Sequence, residues 1–421
     1  MRRGILKFSR KCWLVLVSSL LVGCILKSVF HNVLLQIIEA RLSIMGAEEL
    51  YANIKRQGQN LSGTAGRAAE QSIEQRAADY AEENVRHINS EADMTWWQKE
   101  LCPLLSFPKD SVQPTSKLKP GGNYIFMTET MCKTKIPPRQ ACAAESFSKH
   151  NPGKEVIFWV TSQRLDTSDP YVKFLLGLKN FQFVFLDMDY HFTNSPLRDW
   201  FYNVVWNRNT SWAYMNLADA TRFLLVHEFG GVYMDTDFVS LRRLPSDKNW
   251  IGRQDPETIA AGAFHFEKNH EFIKRAITNF LENFNSTLWA NNGPGVVTRV
   301  MKEFCQESRD LEAKIFSEKK GHKDRSKKWK KKQPKPEPCG GVKVIQPHLI
   351  YPLYYREWRF IFKPGFGERF LKVSTAYALH IWNKLSVDST PQLGDGSIYD
   401  VTAKKFCPEV YRITLAANLT L

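Results

Sequence analysis

The run from His227 to Leu241, H-E-F-G-G-V-Y-M-D-T-D-F-V-S-L, constrains this chain more than any other stretch. An amphipathic helical pattern from Leu217 to Glu228 runs into Gly230-Gly231, and glycine supplies the left-handed backbone that stops a helix. Val232, Tyr233 and Met234 then predict a short buried strand, and apolar character resumes at Phe238, Val239 and Leu241. Asp235 and Asp237 leave the end of that strand two positions apart, where alternation places both side chains on one face. Two carboxylates held together repel, and a hard divalent cation shared with phosphate oxygens relieves the repulsion. A plain acidic turn would use the same residues. The position favours metal and phosphate, because open α/β sheets bind ligands at the carboxyl ends of their strands.

Charge is the next constraint. The 421 residues carry a formal net charge of +15, which by itself would suggest a nucleic-acid partner. Its distribution argues otherwise. Between Glu318 and Pro338 lie ten Lys or Arg against Glu318, Asp324 and Glu337, so much of the excess sits in one Lys- and Pro-rich segment. That segment, 318–338, reads as a disordered surface insert. The rest of the chain is only mildly basic, and no nucleic acid is expected as a partner.

Residues 1–11 contain Arg2, Arg3, Lys7, Arg10 and Lys11 and read as a cytoplasmic tail. Residues 12–30 are apolar apart from Lys27, and a span of about 20 residues crosses a bilayer. A cleaved signal peptide has a similar start, but apolar character resumes at Val33 to Ile38 without a small-residue cleavage site. An uncleaved signal anchor is therefore expected. Residues 31–118, rich in Ala, Glu, Gln and Arg, read as a stem, and residues 119–421 as the lumenal domain. Six cysteines fall beyond the anchor, at 102, 132, 142, 305, 339 and 407, and suggest disulfides whose pairing sequence leaves open. Sequons at Asn60, Asn209, Asn285 and Asn418 agree with a secretory route.

Within the lumenal part, Tyr124–Met127, Glu155–Val160 and Phe181–Leu186 predict strands, with a helix over 165–180 between the last two. Alternation of strands with helices predicts an α/β fold with a mainly parallel sheet. Trp250–Gly252, Ile259–Phe266 and Val342–Gln346 predict further strands. Gly262 inside such a run signals close approach by a ligand or another backbone. Asn291 to Gly295 reads as a flexible loop before a helix, able to cradle phosphate or sugar. Asp219 and Arg222 share a helix face, which alone suggests a surface ion pair. His380 ends a short apolar run and is a metal candidate only if it folds back onto the aspartates.

The chain resembles the D-x-D-containing α-1,4-glycosyltransferases in five ordered motifs. Besides Gly230 to Phe238 these are Ala218-Asp219-Ala220-Thr221-Arg222, Gly262-Ala263-Phe264 with Phe266-Glu267, Gly293-Pro294 with Thr298-Arg299-Val300, and His380 with Trp382-Asn383-Lys384. The resemblance implies a GT-A type fold in a single-pass type II Golgi membrane protein. It also implies a UDP-sugar donor, a divalent metal (usually Mn2+), and transfer with retention to a glycolipid or related glycan acceptor. Carried over by motif, Asp235, Asp237 and His380 would hold the metal. Thr128, Glu129, Asp219, Arg222, Asp235, Asp237, Gly262 and Gly293 would meet the donor, with Thr128 and Glu129 near the uridine. No nucleophile or base is assigned. Ala261 and Asn292 depart from the family pattern, as does the Lys/Pro insert, so the donor stays open between UDP-galactose and UDP-N-acetylgalactosamine. A catalytically inactive carbohydrate-binding protein on the same fold is the alternative, and the intact Asp235, Asp237 and His380 argue against it.

Overall fold

The computed structural model describes residues 95–102, 110–115, 118, 122–319, 339–389 and 391–417. The expected tail, the span at 12–30, the stem up to residue 94 and all but two residues of the Lys/Pro segment lie outside these. Among the described residues no helix is long and apolar enough to cross a membrane.

The packed domain starts earlier than position 119. Helix α1 (Trp96–Leu101) buries Trp97 completely, and Gln98 donates from Nε2 to the carbonyl of Thr161 at 3.2 Å. Cys102 is joined to Cys132 just behind it. Strand β1 (Ser111–Val112) then pairs further into the domain.

Strand β2 (Tyr124–Glu129) leads to helix α2 (Pro138–His150), which returns to β3 (Glu155–Val160). All six residues of β2 are buried, and its run is apolar on both faces as a central parallel strand requires. The expected helix over 165–180 is shorter and preceded by a strand. Leu165–Asp166 (β4) pairs antiparallel with β1, and helix α3 covers only Pro170–Leu176. Local chemistry sets that start: Asp169 accepts the backbone N–H of Tyr171 and Val172, and Pro170 occupies the first turn.

After β5 (Phe181–Phe185) the chain reaches α4 (Ala213–Phe229), stopped at Gly230 with φ 69°. A Cβ on Gly230 would lie 2.6 Å from the Lys268 nitrogen, so glycine is needed for packing as well as for backbone angle. Strands β6 (Gly231–Met234), β7 (Phe238–Ser240), β8 (Trp250–Arg253) and β9 (Ile259–Phe266) follow, then helices α5 (Glu271–Glu282) and α6 (Val296–Lys319). The remainder adds β10 (Lys343–Ile345), β11 (Ala378–His380), α7 (Ile398–Phe406) and α8 (Pro408–Ala416).

The main sheet runs β10-β8-β9-β6-β2-β3-β5. It is mixed: β9 is antiparallel to both neighbours, and the other four pairings are parallel. Helices cover both faces. Ile125, Met127, Val156 and Phe158 pack with α2, α3 and α7 on one side. Phe126, Ile157 and Trp159 pack with α4, α5 and α6 on the other. Disulfides Cys142–Cys407 and Cys305–Cys339 complete the pairing that sequence left open.

Candidate metal and donor site

The site forms at the carboxyl end of β6. Asp235 and Asp237 do not lie in an extended segment, as alternation suggested, but in the turn between β6 and β7. The turn itself brings them together, with the Phe238 N–H donating to the Asp235 carbonyl at 3.4 Å. Asp235 is held from behind, its N–H donating to the Gly262 carbonyl at 2.8 Å.

His380 arrives through a small second sheet. Strands β7 and β11 pair antiparallel with His380 opposite Phe238, and the Ile381 N–H donates to the Asp237 carbonyl at 2.9 Å. His380 Nε2 then lies 3.0 Å from Asp237 Oδ1, and the Asn383 N–H donates to Oδ2 at 2.8 Å. Asp235, Asp237 and His380 offer three ligand atoms all within 4.8 Å of one another. Two carboxylates and an imidazole form a mixed oxygen and nitrogen donor set that would suit a divalent transition ion such as manganese. The Asp235 and Asp237 side chains keep 28% and 17% of their surface open, so a ligand can reach them.

Charge balance supports that fit. Arg222 places one guanidinium nitrogen 3.0 Å from Asp219 and another 3.2 Å from Asp235, and donates to the Ala261 carbonyl at 2.9 Å. Three carboxylates against one guanidinium leave two negative charges when His380 is neutral, the deficit a divalent cation would fill. The two aspartates of the turn are pushed apart in acidity. Burial and then the charge of Asp237 raise Asp235, against the pull of Arg222. Burial would raise Asp237 too, but His380 and the Asn383 N–H outweigh it and hold Asp237 below its ordinary value. Burial lifts Asp219 to about 6 despite Arg222.

The Asp219–Arg222 pair is therefore a buried link between helix α4 and the turn, not a surface pair. Gly262 and Gly293 have matching roles. A Cβ on Gly262 would sit 2.5 Å from Asp235 Oδ2, and one on Gly293 would sit 2.6 Å from Asp219 Oδ1. The close approach that a glycine within β9 signals is thus to a carboxylate. Gly262→Ala should displace the Asp235 carboxylate while leaving the strand intact. We expect the dissociation constant for a divalent ion such as Mn2+ to rise at least roughly tenfold, by analogy with lost metal-site supports. The melting temperature should change little. An unaltered manganese titration would refute this role.

Thr128 and Glu129 fare differently. Thr128 Oγ1 lies 3.0 Å from the Tyr233 hydroxyl, which donates to Asp235 Oδ1 at 3.0 Å, so Thr128 joins the cluster through Tyr233. The Glu129 carboxylate accepts the N–H groups of Met131 at 2.8 Å and Lys133 at 3.1 Å and holds the loop behind β2. Asn292, one of the departures from the family pattern, is buried. Its Nδ2 donates to Asn216 Oδ1 and to the Asn285 carbonyl, and its Oδ1 accepts the Asn285 N–H.

Three residues escape sequence reading. Tyr233 reads only as a strand residue. Tyr351 reads as part of an aromatic cluster, yet its buried hydroxyl faces the Gly262 backbone and lies 3.2 Å from where a Gly262 Cβ would project. Burial, then the charges of Asp235 and Asp237, hold its phenol well above the usual range. Arg139 is the third. From the first turn of α2 its buried guanidinium donates to Asn383 Oδ1 at 2.9 Å, the Ser386 carbonyl at 2.9 Å and the Ser389 carbonyl at 2.6 Å. It thereby clamps the segment whose Asn383 N–H bonds Asp237. No local pattern around Pro138 signals this.

Comparison with known proteins gives a concordant result. Residues 137–258 match the glycosyltransferase sugar-binding region containing a DXD motif. Residues 265–323 and 319–414 match the alpha 1,4-glycosyltransferase conserved region. The human alpha-1,4-N-acetylglucosaminyltransferase is 28% identical over 300 residues, covering 68% of this chain and 79% of its own. The rat lactosylceramide 4-alpha-galactosyltransferase is 28% identical over 316 residues, covering 74% and 79%. A galactosyltransferase solved with donor and acceptor sugar analogues is 12% identical, with a TM-score of 0.36, covering 69% of this chain and 95% of that one. The two matched regions contain Asp219, Arg222, Asp235 and Asp237 in one and Gly293 and His380 in the other. The chain thus carries a D-x-D sugar-binding region followed by an alpha 1,4-glycosyltransferase conserved region, and over residues 137–414 it is similar to the α-1,4-glycosyltransferases.

Proposed function

We propose that the protein is a metal-dependent, retaining transferase that moves galactose or an N-acetylhexosamine from a UDP-sugar to a glycolipid or related glycan, forming an α-1,4 linkage. The observation that carries this reading is the joining of Asp235, Asp237 and His380 at the end of β6. The D-x-D sugar-binding region supports the nucleotide-sugar donor and the divalent ion. A bound cation would stabilise the charge that develops on the departing diphosphate. Asp235, Asp237 and His380 would hold it. Asp219 and Arg222 would orient the donor sugar, and Gly262 and Gly293 would contribute by leaving room for the Asp235 and Asp219 carboxylates beside it. The apolar run at 12–30 supports a Golgi membrane anchor with this domain in the lumen.

The test uses the full chain in detergent, with manganese and UDP-galactose, UDP-N-acetylgalactosamine or UDP-N-acetylglucosamine. N-acetylglucosamine joins the panel because a relative is named for its transfer. Release of UDP is followed with and without lactosyl- and N-acetylgalactosaminyl-terminated acceptors. Metal-dependent release from one donor, raised by one acceptor, is the expected result. Folded protein that releases UDP from none of them would end this reading.

A further inference from the structure

The segment between α5 and α6 presents two large apolar side chains to solvent: Leu288 is 57% exposed and Trp289 is 47% exposed. Adjacent exposed apolar side chains beside a polar site are a feature of ligand-binding surfaces. Trp289 does not lie at a random place on the surface. Its ring packs at 5.3 Å, in a T-shaped arrangement, against Trp212, which immediately precedes the helix bearing Asp219 and Arg222. The Lys384 ammonium lies 5.9 Å from the centre of the same ring. Lys384 follows Asn383, whose N–H bonds Asp237. Four residues after Trp289, Gly293 abuts the Asp219 carboxylate. Trp289 thus touches both limbs that frame the metal and donor site.

The segment is also held in place. Asn285 Oδ1 accepts the N–H groups of Thr287 at 2.9 Å and Leu288 at 3.1 Å. The buried Asn292 side chain fastens both the carbonyl and the N–H of Asn285. A rigid exposed aromatic bordering a polar site is suited to one kind of ligand. Its face packs on the C–H face of a sugar ring, while a neighbouring ammonium donates to ring hydroxyls.

We propose that Trp289 is the platform on which the acceptor's terminal sugar ring stacks, with Lys384 donating to that sugar's hydroxyls. The proposal rests on the transfer reading above, since it places the second substrate of that reaction. It is a specificity determinant for the acceptor and makes no contact with the metal.

The test compares the full chain with Trp289→Ala and Trp289→Phe. Initial rates are measured against soluble lactose- and N-acetylgalactosamine-terminated saccharides at saturating donor and manganese, and binding of the same saccharides is followed by saturation-transfer NMR. For Trp289→Ala the acceptor KM should rise roughly three- to tenfold, the scale of one lost aromatic contact. The donor KM should stay as in the parent, and Trp289→Phe should recover most of the loss. An unchanged acceptor KM in Trp289→Ala overturns the proposal, as does a donor KM that rises in parallel, which would mark a merely structural side chain. Unmodified protein that turns over no donor overturns this inference and the transfer reading together, whereas turnover with an unaltered Trp289→Ala overturns this inference alone.

Discussion

Asp237→Asn is expected to lower metal-dependent UDP release by about 10²- to 10³-fold, the range seen when one charge-stabilising group is removed from a reacting centre. The choice of asparagine isolates charge from packing. Its carbonyl oxygen can still accept the Asn383 N–H that Asp237 Oδ2 accepts at 2.8 Å, and its amide can still face His380. Alanine would instead leave a buried N–H unpaired, at a cost of about 1–3 kcal/mol, and confuse loss of fold with loss of function. The asparagine variant should therefore melt near the parent temperature but lack the upward shift expected of the parent with manganese and UDP. Two measurements decide the matter, UDP release and the ligand-induced thermal shift. Retention of parental turnover together with parental manganese dependence would mean that Asp237 is not a metal ligand.

The largest effect on stability is expected from the Cys142–Cys407 disulfide, which closes a separation of 265 residues. Constraint of the unfolded chain grows with loop length, and on the chain-entropy account a link this long contributes about 5–6 kcal/mol. The Cys102–Cys132 and Cys305–Cys339 links span only 30 and 34 residues. They should contribute about 2 kcal/mol less each by the logarithmic dependence. The longer bridge also ties α2 to the junction of α7 and α8, where buried Glu145 accepts the N–H groups of Glu409 at 3.2 Å and Val410 at 2.9 Å. Those bonds cap the start of α8 and should survive loss of the bridge, so the double variant Cys142→Ser/Cys407→Ser should fold but unfold at lower denaturant. Denaturant melts of the three double-serine variants give the ranking. A Cys305→Ser/Cys339→Ser variant less stable than the Cys142→Ser/Cys407→Ser variant would contradict the loop-length argument.

Much of this architecture is visible in local sequence. Strands β3 and β9 begin and end where apolar, β-branched and aromatic runs predict, and the Gly230 stop stands at the end of α4. These features follow from interactions within a few residues: side-chain period, glycine at positive φ, and the burial of continuous apolar runs. The reading failed where a local pattern had two outcomes. Apolar spacing over 165–180 suits a helix, but Leu165–Asp166 finds a partner in Ser111–Val112, and only the far strand makes that conformation profitable. The Asp235–Asp237 pair was identified as a cluster, yet a turn rather than strand alternation brings the two together.

What the sequence alone determined, then, is the α/β class and the acidic pair at a strand end, together with the family motifs. Only the tertiary structure decided which distant groups complete the site. His380 reaches Asp237 because β11 pairs with β7, and Arg139 fixes Asn383 from the other end of the domain. Arg222 changes from a surface ion pair to a buried bridge because helix α4 packs its face against β9 and the turn. The cysteine pairing is of the same kind. Each of these depends on bringing together segments far apart in the chain, and the contact free energy that repays this loop closure comes from the packed core as a whole. No short window of residues contains it.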